Sequence, residues 1–176
     1  MSFELTMAGA APESLSSYAT NLWQEAARRC GIDLIGLETS SPLQERIDWA
    51  MACGLQIGVV YIRFSTKDQH SDEDQARANI ERAARERIYV PPEFVCVDLG
   101  KSGRSVRRDG LKRVQAILED RLATVFLVYK VSRLYRQAYR GYQFVQRHVV
   151  QKGLRALSVS QGIDSDDKKT WKLQLQ

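Results

Sequence analysis

At 176 residues the chain is long enough for one α/β core with an appendage. A hydrophobic share of 44% argues against global disorder, and the longest apolar runs, Ile57–Ile62 and Val125–Tyr129, are strand-sized and too short to cross a bilayer. The net charge of +5 is uneven: residues 1–56 carry three arginines against seven acids, whereas residues 101–140 carry eleven Lys or Arg against three, which points to a polyanion partner or, as readily, to a solvated basic face.

In chain order, residues 1–10 read as a frayed tail. They show no basic start followed by an apolar run, so no secretory signal is expected and the protein is read as cytoplasmic, without a membrane. From Pro12 to Cys30, Leu15, Tyr18, Ala19, Leu22, Trp23, Ala26 and Ala27 recur at helical spacing, with Gly31 as the stop. Ser41–Cys53 predicts a second helix, capped by Ser40 or Ser41, with Pro42 in its first turn. These two helices form an N-terminal extension, residues 1–55, in which nothing suggests chemistry.

From residue 56 a β/α alternation begins. The strand candidates are Gln56–Ile62, Phe94–Leu99, Thr124–Lys130 and Leu154–Ser160, each a short run of the kind buried in a parallel sheet. The helix candidates between them are Asp72–Ile88 (Ala76, Ile80, Ala83, Ala84, Ile88), Asp109–Leu122 (Leu111, Val114, Ile117, Leu118, Leu122) and Gln137–Lys152 (Ala138, Tyr142, Val145, Val149). The predicted fold is α/β: a three-layer domain with a mostly parallel sheet of four to five strands, helices on both faces and an N-terminal helical extension. Ligands of such sheets bind at the C-terminal strand ends. Trp171–Gln176 begins an apolar pattern, so residues 167–176 read as the start of a further element.

The three cysteines, Cys30, Cys53 and Cys96, are widely spaced, and His70 and His148 stand alone. Neither a disulfide framework nor a zinc site is indicated, and no metal or cofactor is expected. P-loop, HExxH, GxSxG and GxGxxG patterns are absent.

Chemistry-bearing residues follow the strands. After the first comes Tyr61-Ile62-Arg63-Phe64-Ser65-Thr66-Lys67-Asp68-Gln69, in which Arg63 and Ser65 share a face. A serine beside a guanidinium suits a phosphate; the same residues also read as a strand-ending serine and a salt-bridged arginine. After the second come Asp98 and a basic loop, Lys101 to Arg108 with Arg104 and Arg107, leading into a helix whose amides favour an anion. A mobile solvated loop is the bland alternative. After the third come Lys130, Ser132, Arg133 and Arg136; if a helix starts there, the last two lie on one face, where positive charge opposes the helix dipole. Several arginines and one serine at one sheet edge suit covalent phosphoryl transfer without a metal.

The string YIRFSTKDQ resembles the active-site signature of the resolvase/invertase family of serine site-specific recombinases, Tyr-x-Arg-x-Ser-Ser/Thr-x-x-Gln, with Phe64 at a position usually small. Asp98, Ser102-Gly103, Arg108-x-Gly110-Leu111, Arg133-Leu134-x-Arg136 and Gln161-Gly162-Ile163-Asp164 follow in the family's order, so the likeness covers residues 57 to about 166. It implies a catalytic domain over residues 56–166, in which Ser65 attacks the scissile phosphate and becomes joined to the DNA 5′ end. Arg63, Arg108, Arg133 and Arg136 would hold that phosphate. Tyr61, Gln69, Gln75 and Asp98 would support the site, although one extra residue precedes Gln75. Arg104, Arg107 and Lys130 would contact DNA. Ser132 stands where many members carry Asp.

The resemblance also implies double-stranded DNA sites as partner, chemistry independent of metal and ATP, and a dimer or synaptic tetramer for a complete protein. A chain ending before the family's dimerisation helix is expected to be monomeric. A serine transposase would carry the same residues. A non-catalytic phosphate- or nucleic-acid-binding module is the alternative from another class.

Overall fold

The computed structural model describes residues 7–65, 69–100 and 108–173. Its sheet is built around β1 (Gln56–Ser65). Along one side of β1 run β2 (Ile88–Tyr89), against its start, and β3 (Val95–Gly100), against the remainder; β4 (Val125–Val128) lies on its other side. Next come β5 (Arg155–Ser158), parallel to β4, and the short antiparallel β6 (Ile163–Asp164). The fold is α/β with a mixed, mostly parallel sheet flanked by helices, as expected, and with two short strands that periodicity did not reveal.

The first helix, α1 (Glu13–Arg29), buries Leu15, Ala19, Leu22, Trp23, Ala26 and Ala27, the face its spacing predicts. It packs on α3 (Gln69–Arg85), which in turn lies against β1 and β2. Trp23 joins the extension to the sheet: its indole N–H donates to the Ile88 carbonyl at 2.7 Å, and its ring meets Tyr89 edge-on at 4.9 Å. α2 (Leu43–Ala52) packs on β1; α4 (Asp109–Glu119) covers β3 and β1 and touches α5 (Ala138–His148). α6 (Lys168–Leu173) seats Trp171 in the core. No described helix is long and apolar enough to cross a membrane.

Several boundaries differ from expectation. Within residues 1–10, the described part is not frayed: Ala10 forms an antiparallel bridge with Cys96 on β3. Neither Ser40 nor Ser41 caps α2. Pro42 holds the cap position without a side-chain bond, and the Ser41 carbonyl accepts from the Arg46 guanidinium instead, at 2.8 Å. β1 continues three residues past Ile62 because β3 pairs with it as far as Ser65–Gly100. Ile88 belongs to β2 rather than to α3; an aliphatic residue at the next helical spacing looks the same until a strand claims it. Phe94 sits in the 3-10 turn Pro92–Phe94. Ala138 is exposed at the start of α5, whose buried face uses Phe144 instead.

Candidate active site

The spatial order of the principal strands, β3-β1-β4-β5, reverses chain direction between β1 and β4. A crevice opens beyond the carboxyl ends at such a switch. Ser65 closes β1 there, with Gly100 as its neighbour on β3. Tyr61, Arg63 and position 65 fall on one face of β1, and Arg63 pairs in register with Asp98. Arg63 is half-buried.

Asp98 organises this corner. Its side chain is 4% exposed. Oδ1 accepts from the Gly110 N–H at 2.8 Å; Oδ2 accepts from the Leu111 N–H at 3.2 Å and from the Tyr61 hydroxyl at 2.9 Å. The amides at the start of α4, expected to receive an anion, therefore hold the chain's own carboxylate, the stabilising charge for a helix N-terminus. Burial first, and the Asp98 charge second, push the Tyr61 phenol well above its ordinary value of 10.0, so it stays a donor.

Arg108, the residue before α4, is half-buried and spans two loops. Its Nη2 donates to the Leu134 carbonyl and lies 3.4 Å from the Tyr61 oxygen, while its guanidinium carbon stands 4.5 Å from the centre of the Tyr135 ring. Asp98 thus steadies this arginine through Tyr61 rather than by direct pairing. The loops after β3 and β4 are joined by one side chain.

No α-helix begins at Arg133. Val131–Arg133 is a 3-10 turn and α5 starts only at Ala138, so Arg133 and Arg136 do not share a helical face, and the anticipated conflict with a helix dipole does not arise. Arg133 is half-buried in the turn, and Arg136 and Lys130 are exposed beside it. Gln75 is buried on α3, and Gln69 is that helix's first residue. Arg104, Arg107 and the Ser102-Gly103 pair lie outside the described residues, as do Thr66, Lys67 and Asp68 of the signature.

Gln161, to which the resemblance assigns no role, anchors the arginine turn. Its Oε1 accepts from the Val131 N–H at 2.9 Å and from the Ser158 hydroxyl at 2.6 Å, and its Nε2 donates to the Tyr142 hydroxyl at 3.1 Å. A Cβ on Gly141 would lie 2.7 Å from the Val131 carbonyl oxygen, so α5 abuts the same turn. The place of Gln161 just past a buried strand, at the head of the Gln161-Gly162-Ile163-Asp164 block, was the sequence signal for it.

A family model described as the resolvase N-terminal domain matches residues 58–176. No curated protein matches the chain. Among solved structures, the N-terminal catalytic domain of TP901-1 integrase is similar over 68% of this chain and 88% of its own, with 21% identity and a TM-score of 0.57. A resolvase family site-specific recombinase from Streptococcus pneumoniae is similar over 68% of this chain and 83% of its own, with 23% identity and a TM-score of 0.54. At these identities the structural likeness is one of fold.

Proposed function

The chain belongs to the resolvase family, and on that premise we propose that it is a serine recombinase catalytic domain that cuts and rejoins DNA through a phosphoserine link on Ser65. The observation that most supports this reading is the Arg108 bridge, which ties the arginine turn after β4 to Tyr61 on β1, the strand that ends at Ser65.

In this reading the Ser65 oxygen attacks phosphorus. The Oγ–P bond forms as the P–O3′ bond breaks, the serine proton leaves to a base, and the departing 3′ oxygen takes up a proton. Arg63, Arg108, Arg133 and Arg136 surround the non-bridging oxygens, whose negative charge grows in the pentacovalent transition state. Gln69 and Gln75 support the nucleophile's segment, and Tyr61 and Asp98 hold Arg108. Lys130, Arg104 and Arg107 contact the DNA backbone, giving affinity without sequence information. The phosphoserine keeps the energy of the phosphodiester, so a 3′ hydroxyl from another DNA end can reverse the attack without ATP. Double-stranded DNA is the partner, with further subunits bringing two duplexes together. Residues 56–166 carry the chemistry, and residues 1–55 form the extension.

The test uses a randomised duplex pool and a denaturing gel. Wild-type protein is expected to give a covalent adduct at a DNA 5′ end with a free 3′ hydroxyl, and Ser65→Ala none. An adduct that persists in Ser65→Ala moves the nucleophile elsewhere. DNA that is bound without any adduct makes the protein a binding module.

A further inference from the structure

The segment ahead of α1 is built into the corner that carries Asp98 and Arg108. It runs antiparallel along the outer edge of β3: the Val97 N–H donates to the Gly9 carbonyl at 2.8 Å and the Ala11 N–H to the Val95 carbonyl at 3.0 Å. This pairing satisfies groups that an open strand edge leaves exposed.

At the same point the segment meets α4. Gly9 has φ +77°, and a Cβ there would lie 2.3 Å from the Asp109 carbonyl carbon and 2.4 Å from the Gly110 nitrogen. Gly110 is confined from its other side, where a Cβ would lie 2.4 Å from the Val97 carbonyl oxygen. Gly9, Val97 and Gly110 therefore meet backbone to backbone, which requires glycine at both positions. The Asp109–Gly110 peptide inside this junction follows Arg108 directly, and its N–H is one of the donors to Asp98.

Resting on the function proposed above, we propose that Gly9 is a positioning residue for DNA cleavage: the strap of residues 7–10, through Gly9, holds the first turn of α4 and so sets where Asp98 and Arg108 stand. Any side chain at Gly9 must push the strap off the Asp109–Gly110 peptide or push that peptide off the strap. The second movement lengthens the amide bonds to Asp98 and carries Arg108 away from the Leu134 carbonyl and the Tyr135 ring. Displacements of this kind, on the order of 1 Å, cost about a hundredfold in rate. The strap lies far ahead of the signature that begins at Tyr61, so no motif in the catalytic segment announces it.

The experiment compares Gly9→Ala and Ala11→Pro with wild type, using duplexes recovered as wild-type adducts from a randomised pool. Gly9→Ala is expected to slow adduct formation at saturating DNA by about a hundredfold, with the DNA concentration for half-maximal rate held within about twofold. Ala11→Pro removes the bond to Val95, two residues away from the glycine junction, and is expected to lower the melting temperature at an unchanged rate. Gly9→Ala reacting at the wild-type rate overturns the proposal, and so do two variants whose rates fall in step with their melting temperatures. If wild type itself forms no adduct, the functional reading falls and takes this proposal with it. Should Gly9→Ala not fold, amide exchange on wild type decides. Val97, Gly110 and Leu111 are expected to open together, and Val97 opening alone overturns the proposal.

Discussion

The Tyr61 hydroxyl donates to Asp98 Oδ2 at 2.9 Å, tying β1 to β3 beneath the start of α4. A buried carboxylate is tolerated there because three donors surround it. The same hydroxyl oxygen lies 3.4 Å from Arg108 Nη2, so one phenol links the carboxylate to the guanidinium.

Asp98→Asn is expected to cost about 1–3 kcal/mol of stability, because an amide oxygen with two lone pairs leaves at least one of three donors without an acceptor. Tyr61→Phe leaves both amides bonded to Asp98 and should cost about 1 kcal/mol. The two residues share one bond, so the double variant should lose less than the sum. Urea unfolding measures all three; strict additivity would show that the hydroxyl and the carboxylate act independently.

Gln161→Leu strands the Val131 N–H, which cannot turn to another partner as the Ser158 and Tyr142 hydroxyls can. A loss of about 1–3 kcal/mol is expected, together with slower adduct formation as the turn bearing Arg133 loosens. Gln161→Glu keeps the acceptor oxygens and lets the Tyr142 hydroxyl donate, so it should recover most of the rate. Unfolding and adduct assays run side by side check this, and equal rates for wild type and Gln161→Leu would separate Gln161 from the arginine turn.

Alkaline pH should destabilise the fold. Burial, more than any neighbouring charge, pushes the fully buried Cys96 thiol from its ordinary 9.0 up to about 12. Burial likewise raises the Tyr61 and Tyr89 phenols above 10.0. Once the unfolded chain begins to lose these protons the folded chain still holds them, so the folded state binds more protons and stability falls as pH rises. For Cys96 the loss runs from about 9 to about 12. Melting temperatures taken from neutral to strongly alkaline pH test this. Cys96→Ala should flatten part of the decline, and a flat wild-type profile would contradict the burial of these groups.

The long elements were legible because their periodicity reports burial directly. The α1 face from Leu15 to Ala27 and the α4 face from Leu111 to Leu118 are buried as their spacing predicts. β2 and β6 span two residues each, too short for any alternation to register, and they exist because a neighbouring strand pairs with them. The 3-10 turn at Val131–Arg133 was hidden for a similar reason: local propensity does not encode the side-chain amide of Gln161 or the backbone contact with Gly141.

By itself the sequence determined the β/α alternation, the family likeness and the residue types that follow each strand, since these are carried by local pattern and by the motif. Tertiary structure alone decided that Asp98 fills the anion site at the start of α4, that Arg108 binds the Leu134 carbonyl and that Gly9 abuts the Asp109–Gly110 peptide. Each of these joins residues far apart in the chain. Packing geometry sets such contacts, and no spacing in the sequence records it.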